Sequence, residues 1–198
     1  MSEFVGQNFR GVVVSLQKKY GFDLPAEELD SYVGRELDAV TKTLEAKAEP
    51  CVGVNEQLDR LHKEGKYGMA VVSSSALRRV KASVVKVAQD KYFPKDHIFS
   101  AASSLPVPTT KPDPAIYLHA CKVIGKKPEE CVAVEDSKSG TLSAVRAGIP
   151  TIGYVGSYGG AVKQKEMAAV LKEAGVKVMM EHWKDFPKCL AEIEKMVQ

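Results

Sequence analysis

The sequence predicts an α/β protein: a parallel sheet covered by helices on both faces, preceded by a helical element. Two observations carry this. Short apolar runs (YGMAVV at 67–72, CVAVE at 131–135, TIGY at 151–154) alternate with stretches of helical periodicity. The connections between them are short, which suits a parallel sheet buried on both sides. The first 48 residues are periodic but hold no such run, so the chain divides into a helical element, 1–48, and an α/β core, 49–198.

In that helical element, Phe9, Val12, Val13 and Leu16 fall at helical spacing, and Gly21 is placed to stop the helix. A second helix begins near Pro25, with Glu27 and Glu28 suiting its N-terminus and Leu29, Tyr32, Val33, Leu37, Val40 and Leu44 as its stripe. The pair reads as a helical hairpin. In the core, a helix over 55–64 ends at Gly65 and is followed by the buried strand 67–72. A helix over 76–88, a strand over 97–100 and the loop SSLPVPTTKPDP come next. A helix over 115–124, the strand 131–135, a helix over 139–147 and the strand 151–154 continue the alternation. Helix, strand and helix over 167–174, 176–180 and 186–197 complete it.

Composition narrows the function classes. Apolar residues make up 44% and charged residues 27%, an ordinary globular balance. The net charge of +3 is small, and its bases are dispersed among acids, so no nucleic-acid footprint stands out. Arg78, Arg79 and Lys81 read as a solvated helix face. Cys51, Cys121, Cys131 and Cys189 form no CxxC pair, which argues against zinc and a disulfide framework. Three of the four sit in apolar surroundings and behave as small hydrophobes. The opening MSEFVGQNFR has no apolar signal core and no run reaches membrane-spanning length. A cytoplasmic setting without membrane contact is expected. His62, His97, His119 and His182 lack ligand spacing and read as structural; Trp183, Met179 and Met180 read as core or rim.

Ligands of open parallel sheets gather at the carboxyl ends of the strands. Ser73, Ser74 and Ser75 follow one strand, Glu135 and Asp136 close another, and Lys111 stands in the proline-bracketed loop PTTKPDP. Each has a bland reading: the serines, Asp136 or Ser137 could cap the next helix, and a loop lysine is usually solvated. Together they supply hydroxyl donors, a fixed ammonium and paired carboxylates. That set suits a phosphoryl group with a magnesium ion beside it.

These residues resemble the motifs of the haloacid dehalogenase-like hydrolase superfamily, in particular its phosphosugar phosphatases and mutases with a helical cap. VVSSS at 71–75 resembles the second motif, KPDP at 111–114 the third, and VAVEDSKSG with AVRAGIPTIGYV the fourth. The resemblance implies a Rossmann-like sheet with a partial helical cap. It implies Ser73 and Ser74 as phosphate-binding hydroxyls, and Lys111 as the catalytic and phosphate-binding base. It further implies Asp136 and Glu135 as magnesium ligands, and a small phosphorylated metabolite, a phosphosugar or polyol phosphate, as substrate.

One departure decides what can be expected of the chain. Family members open with a strand ending in DxDGT or DxDGV, whose first Asp is the nucleophile, and no D-x-D occurs here. The chain is therefore expected to lack the family's central first strand and the first part of its cap. The strands 67–72 and 131–135 must then pair directly, leave a gap or recruit another segment. Without the nucleophile, covalent phosphoryl transfer has no starting group, and magnesium is expected to bind weakly or not at all. Two functions follow as expectations: a magnesium-dependent phosphatase that is inactive as this chain alone, or a non-catalytic relative (a pseudoenzyme). The latter would bind a phosphometabolite, a partner strand or a second copy through an incomplete sheet.

Overall fold

The computed structural model describes residues 9–197. The assignment of the opening residues to a cap includes 1–8, which lie outside the described residues. Helix α1 (Phe9–Tyr20) ends at Gly21, whose φ of +69° suits glycine. Helix α2 (Ala26–Lys47) follows Pro25 and buries Leu29 and Thr41. Helix α3 (Val54–Glu64) is bounded by left-handed Gly53 and Gly65. The core continues as β1 (Val71–Ser73), α4 (Leu77–Lys86), β2 (Ile98–Ser100) and α5 (Ala115–Ile124). Then come β3 (Ala133–Glu135), α6 (Lys138–Arg146), β4 (Thr151–Tyr154), α7 (Ala161–Glu173), β5 (Val178–Met180) and α8 (Phe186–Val197).

The α/β reading is correct, and the strands are shorter than the apolar runs that announce them. YGMAVV contributes Val71 and Val72 to β1, which extends to Ser73 and is half-buried along its length. Helix α7 starts at Ala161, six residues before the apolar pattern that marks it, because its first turns are exposed and carry little periodic signal.

The strands form two parallel sheets. β1 pairs with β2, placing Val72 opposite Phe99; β3 pairs with β4 and β4 with β5, placing Val134 opposite Ile152 and Gly153 opposite Met179. Of the three outcomes open to the strands flanking a missing centre, direct pairing is not the one adopted: among the described residues β1 and β3 share no ladder, and no other strand lies between them. Successive backbone groups alternate between the two edges of a strand. The Ser73 carbonyl accepts from Ala101 N at 2.8 Å on the β2 side, so the N–H and C=O of Val72 point to the other edge. Likewise Ala133 N donates to Pro150 O at 3.0 Å on the β4 side, so the polar groups of Val134 point away from β4. Both free edges meet at one seam.

Two apolar layers hold the halves together. On one face, Ile116, Tyr117 and Ala120 of α5 pack with Phe99, Ala101, Ala133 and Ala144, spanning both sheets. On the other, Leu61 joins Ile152, Met180, Leu190 and Ile193, with Met69 and Val134 at its margin. Trp183 packs against Tyr154 and Phe186 at centroid distances of 5.3 and 5.6 Å, as rim rather than ligand site. The helical element lies on α4, where Arg78 pairs with Asp38 at 2.5 Å and Arg79 pairs with Glu36. Those arginines thus join helix to helix instead of forming a free basic face.

Backbone groups directed into an unpaired seam exchange with solvent. Hydrogen exchange should be faster at Val72 and Val134 than at Ile152 by on the order of 100-fold. Equal protection at the three amides would show a closed sheet.

Candidate functional site

The carboxyl ends of β1 and β3 meet at the Lys111 side chain. Lys111 is 9% exposed; its ammonium donates to the Val72 carbonyl at 3.0 Å and to the Glu135 carboxylate. The Val72 carbonyl belongs to the free edge of β1, so the lysine supplies the donor that a neighbouring strand would otherwise provide. Tyr117 of α5 also donates to Glu135, and the Lys111 ammonium lies 4.8 Å from the centre of its ring. Burial first, and the Glu135 charge second, push the Tyr117 phenol well above its ordinary value. It therefore stays protonated and donates.

Local chemistry fixes each member. The Lys111 backbone N–H donates to Ser74 Oγ at 3.1 Å, tying the proline-rich loop to the end of β1. The Lys111–Pro112 peptide is cis. Arg146 and Ser143 of α6 donate to the Pro112 and Asp113 carbonyls at 3.1 and 2.6 Å, anchoring the same loop from the other side. Ser73 Oγ accepts from Ser75 N at 3.1 Å. None of the serines caps α4, whose N-cap is Ala76 without a side-chain bond. At α6 the cap is Ser137, accepting from Gly140 N at 3.1 Å, which leaves Asp136 free of that duty. A side chain at Gly140 would crowd Glu135: a Cβ there would lie 1.9 Å from Glu135 Oε2.

Glu135 and Asp136 part company. Glu135 is buried, turned to Lys111 and Tyr117, whereas Asp136 is exposed. Asp136 Oδ2 accepts from Ser157 Oγ at 3.3 Å, and its carbonyl accepts from Tyr158 OH at 2.9 Å. Magnesium demands several hard oxygen ligands. Among the described residues no cluster of three or more His, Cys, Asp and Glu could hold a metal. The residues present do not by themselves fit a magnesium ion. Thus the structure brings Ser74, Lys111 and Glu135 together, with Ser73 beside them at the end of β1, while Asp136 next to Glu135 is exposed.

Three contributors were missed from the sequence. Tyr117 lies in the apolar stretch AIYLHACKVI, where its phenol is a strong hydrogen-bond donor on an otherwise largely apolar face. Ser157 and Tyr158 follow β4, and the strand-end rule, applied to that strand too, would have found them.

A buried lysine and small hydroxyls at the carboxyl ends of parallel strands define an α/β protein of the kind that receives anionic ligands there. Comparison with known proteins gives the family. The profile described as haloacid dehalogenase-like hydrolase matches residues 1–154, and the chain belongs to that family. It is 29% identical over 154 residues to 6-phosphogluconate phosphatase of Escherichia coli (strain K12), covering 74% of this chain and 64% of that one. It is 30% identical over 158 residues to phosphoglycolate phosphatase of Psychrobacter arcticus, covering 78% of this chain and 65% of that one. The chain thus spans just under two thirds of these relatives. Among solved structures, a haloacid dehalogenase-like protein of unknown function from Agrobacterium tumefaciens str. C58 superposes with a TM-score of 0.72. Its identity is 28%, over 98% of this chain and 81% of that chain.

Removing the ammonium strands a buried carboxylate. Lys111→Met should cost about 3–5 kcal/mol of unfolding free energy. Asp136→Asn, at the exposed carboxylate, should stay within about 0.5 kcal/mol of the parent. Urea unfolding checks both; equal effects would remove Lys111 from its bridging role.

Proposed function

We propose that this chain carries the phosphate-binding half of a magnesium-dependent phosphatase acting on a small phosphorylated metabolite, a phosphosugar or polyol phosphate. The observation that carries the reading is the convergence of Ser74, Lys111 and Glu135 at adjoining strand ends, in the order the family's motifs imply. The names of the E. coli and Psychrobacter relatives, a 6-phosphogluconate and a phosphoglycolate phosphatase, support a small phosphorylated metabolite as the substrate class.

The roles follow from chemistry. The Ser73 and Ser74 hydroxyls each accept one backbone bond and keep a proton to donate to a phosphoryl oxygen. Lys111 supplies the positive charge that offsets charge on the phosphoryl group. Glu135 orients Lys111 rather than acting on substrate, and the exposed Asp136 is the carboxylate available to a metal. The helical element formed by α1 and α2 serves as a partial cap, and the protein works in the cytoplasm without nucleic acid. No helix among the described residues is long and apolar enough to cross a membrane.

The chain has no D-x-D and so no family nucleophile. A second reading, a non-catalytic relative that binds a phosphometabolite or a partner strand, is favoured by β1 and β3, each of which has an edge outside any ladder among the described residues.

The test is phosphate release from sugar phosphates with magnesium. The 198-residue chain should show no turnover above background. Fusing a strand ending in DxDGT ahead of residue 1 should restore magnesium-dependent release, abolished by Asp136→Ala. Turnover by the unfused chain, or an inert but folded fusion, would contradict the first reading.

A further inference from the structure

Outside this site, one pair of nucleophilic side chains is unclaimed. Cys121 lies on α5 and Cys131 two residues before β3; their sulfurs are 3.9 Å apart, the one thiol–thiol contact among the described residues. All four cysteines are reduced. Cys121 is 5% exposed and Cys131 half-buried, so a small oxidant reaches Cys131 first.

Position makes the pair more than core packing. Cys121 follows Tyr117 by four residues, one turn along α5, and therefore shares its face. Cys131 precedes Glu135 by four residues, an even spacing that keeps both side chains on one side of an extended segment. The thiol contact and the Tyr117–Glu135 bond are thus two rungs joining α5 to β3.

We propose that Cys121 and Cys131 form a reversible, peroxide-driven disulfide that staples α5 to β3 and holds Tyr117 against Glu135. In the first step the Cys131 thiolate attacks a hydroperoxide oxygen. The O–O bond breaks, giving Cys131 sulfenic acid and, after proton transfer, water or an alcohol. In the second, the Cys121 sulfur attacks the Cys131 sulfur, its proton leaves, and the S–O bond breaks with loss of water. Two thiols are oxidised by two electrons in total, and one peroxide is reduced. Closure requires the sulfurs to move from contact to bonding distance, about 2.05 Å.

Burial pushes both thiols up, Cys131 to about 12, with Glu129, Glu130 and Lys126 as the charged neighbours. Thiolate is scarce at neutral pH, so the first step is slow. The adjacent Cys121 then traps the sulfenic acid before further oxidation. The staple therefore answers sustained peroxide rather than a brief pulse. It requires neither substrate nor metal and stands apart from the phosphatase reading.

The test treats the whole chain with hydrogen peroxide, followed by trypsin and mass spectrometry without reductant; Lys122 and Lys126 let the enzyme separate the two cysteines. A Cys121–Cys131-linked peptide, lost on adding dithiothreitol, is expected. The oxidised chain should melt several °C higher, and amide exchange at Tyr117 and Glu135 should slow at least about tenfold. Cys131→Ser should abolish all three changes; Cys121→Ala, read by sulfinic acid accumulating at Cys131, replaces it if that variant does not fold. Sulfinic acid at Cys131 in the parent, linkage through Cys51 or Cys189, or a linked form with unchanged exchange would overturn the proposal.

Discussion

The buried contact between Lys111 and Glu135 is the interaction on which the arrangement of this molecule depends. A charged pair taken out of water contributes little net stability, because desolvation offsets attraction. What it contributes here is place. The ammonium holds the Val72 carbonyl of one sheet and the Glu135 carboxylate of the other, and Tyr117 donates to the same Glu135 oxygen. Two sheets that share no ladder are thereby fixed in register at the carboxyl ends of their strands. The apolar layers would hold them together in any case, but apolar contact alone is indifferent to small slips.

The same contact explains the odd economy of the seam. An unmet buried carbonyl costs roughly 1–3 kcal/mol, yet the free edge of β1 is tolerated. The strand is half-buried, so water reaches part of it, and the one carbonyl beside the site has the lysine. Anchoring from Ser74, Ser143 and Arg146 then becomes intelligible. A loop whose lysine replaces a strand must be held as firmly as a strand.

Much of this was legible in the sequence, and the failures have physical causes. Alternating apolar runs and helical stripes gave the order of elements, because burial on both faces leaves a pattern that no neighbour can disguise. VVSSS, KPDP and VAVED marked the residues that meet around Lys111, because hydroxyls, a proline-bracketed lysine and paired charge at strand ends have few structural uses. Strand lengths were overestimated where apolar residues such as Tyr67 and Met69 pack at the margin of the core without entering a ladder. Glu135 and Asp136 are adjacent in sequence but differ in surroundings, because neighbours at a strand end point opposite ways: Glu135 is buried against Lys111 and Tyr117, and Asp136 is exposed. Tyr117 was invisible because its partner lies 18 residues away on another element.

If Lys111 and Glu135 act as one unit across the seam, their effects on stability cannot be independent. The direct measurement is a double-mutant cycle by urea unfolding, using Lys111→Met, Glu135→Gln and the combined variant. A coupling of about 2 kcal/mol or more is predicted, near the upper part of the range seen for residues in one buried network. Additivity within about 0.5 kcal/mol would contradict the account and leave the two halves joined by apolar packing alone.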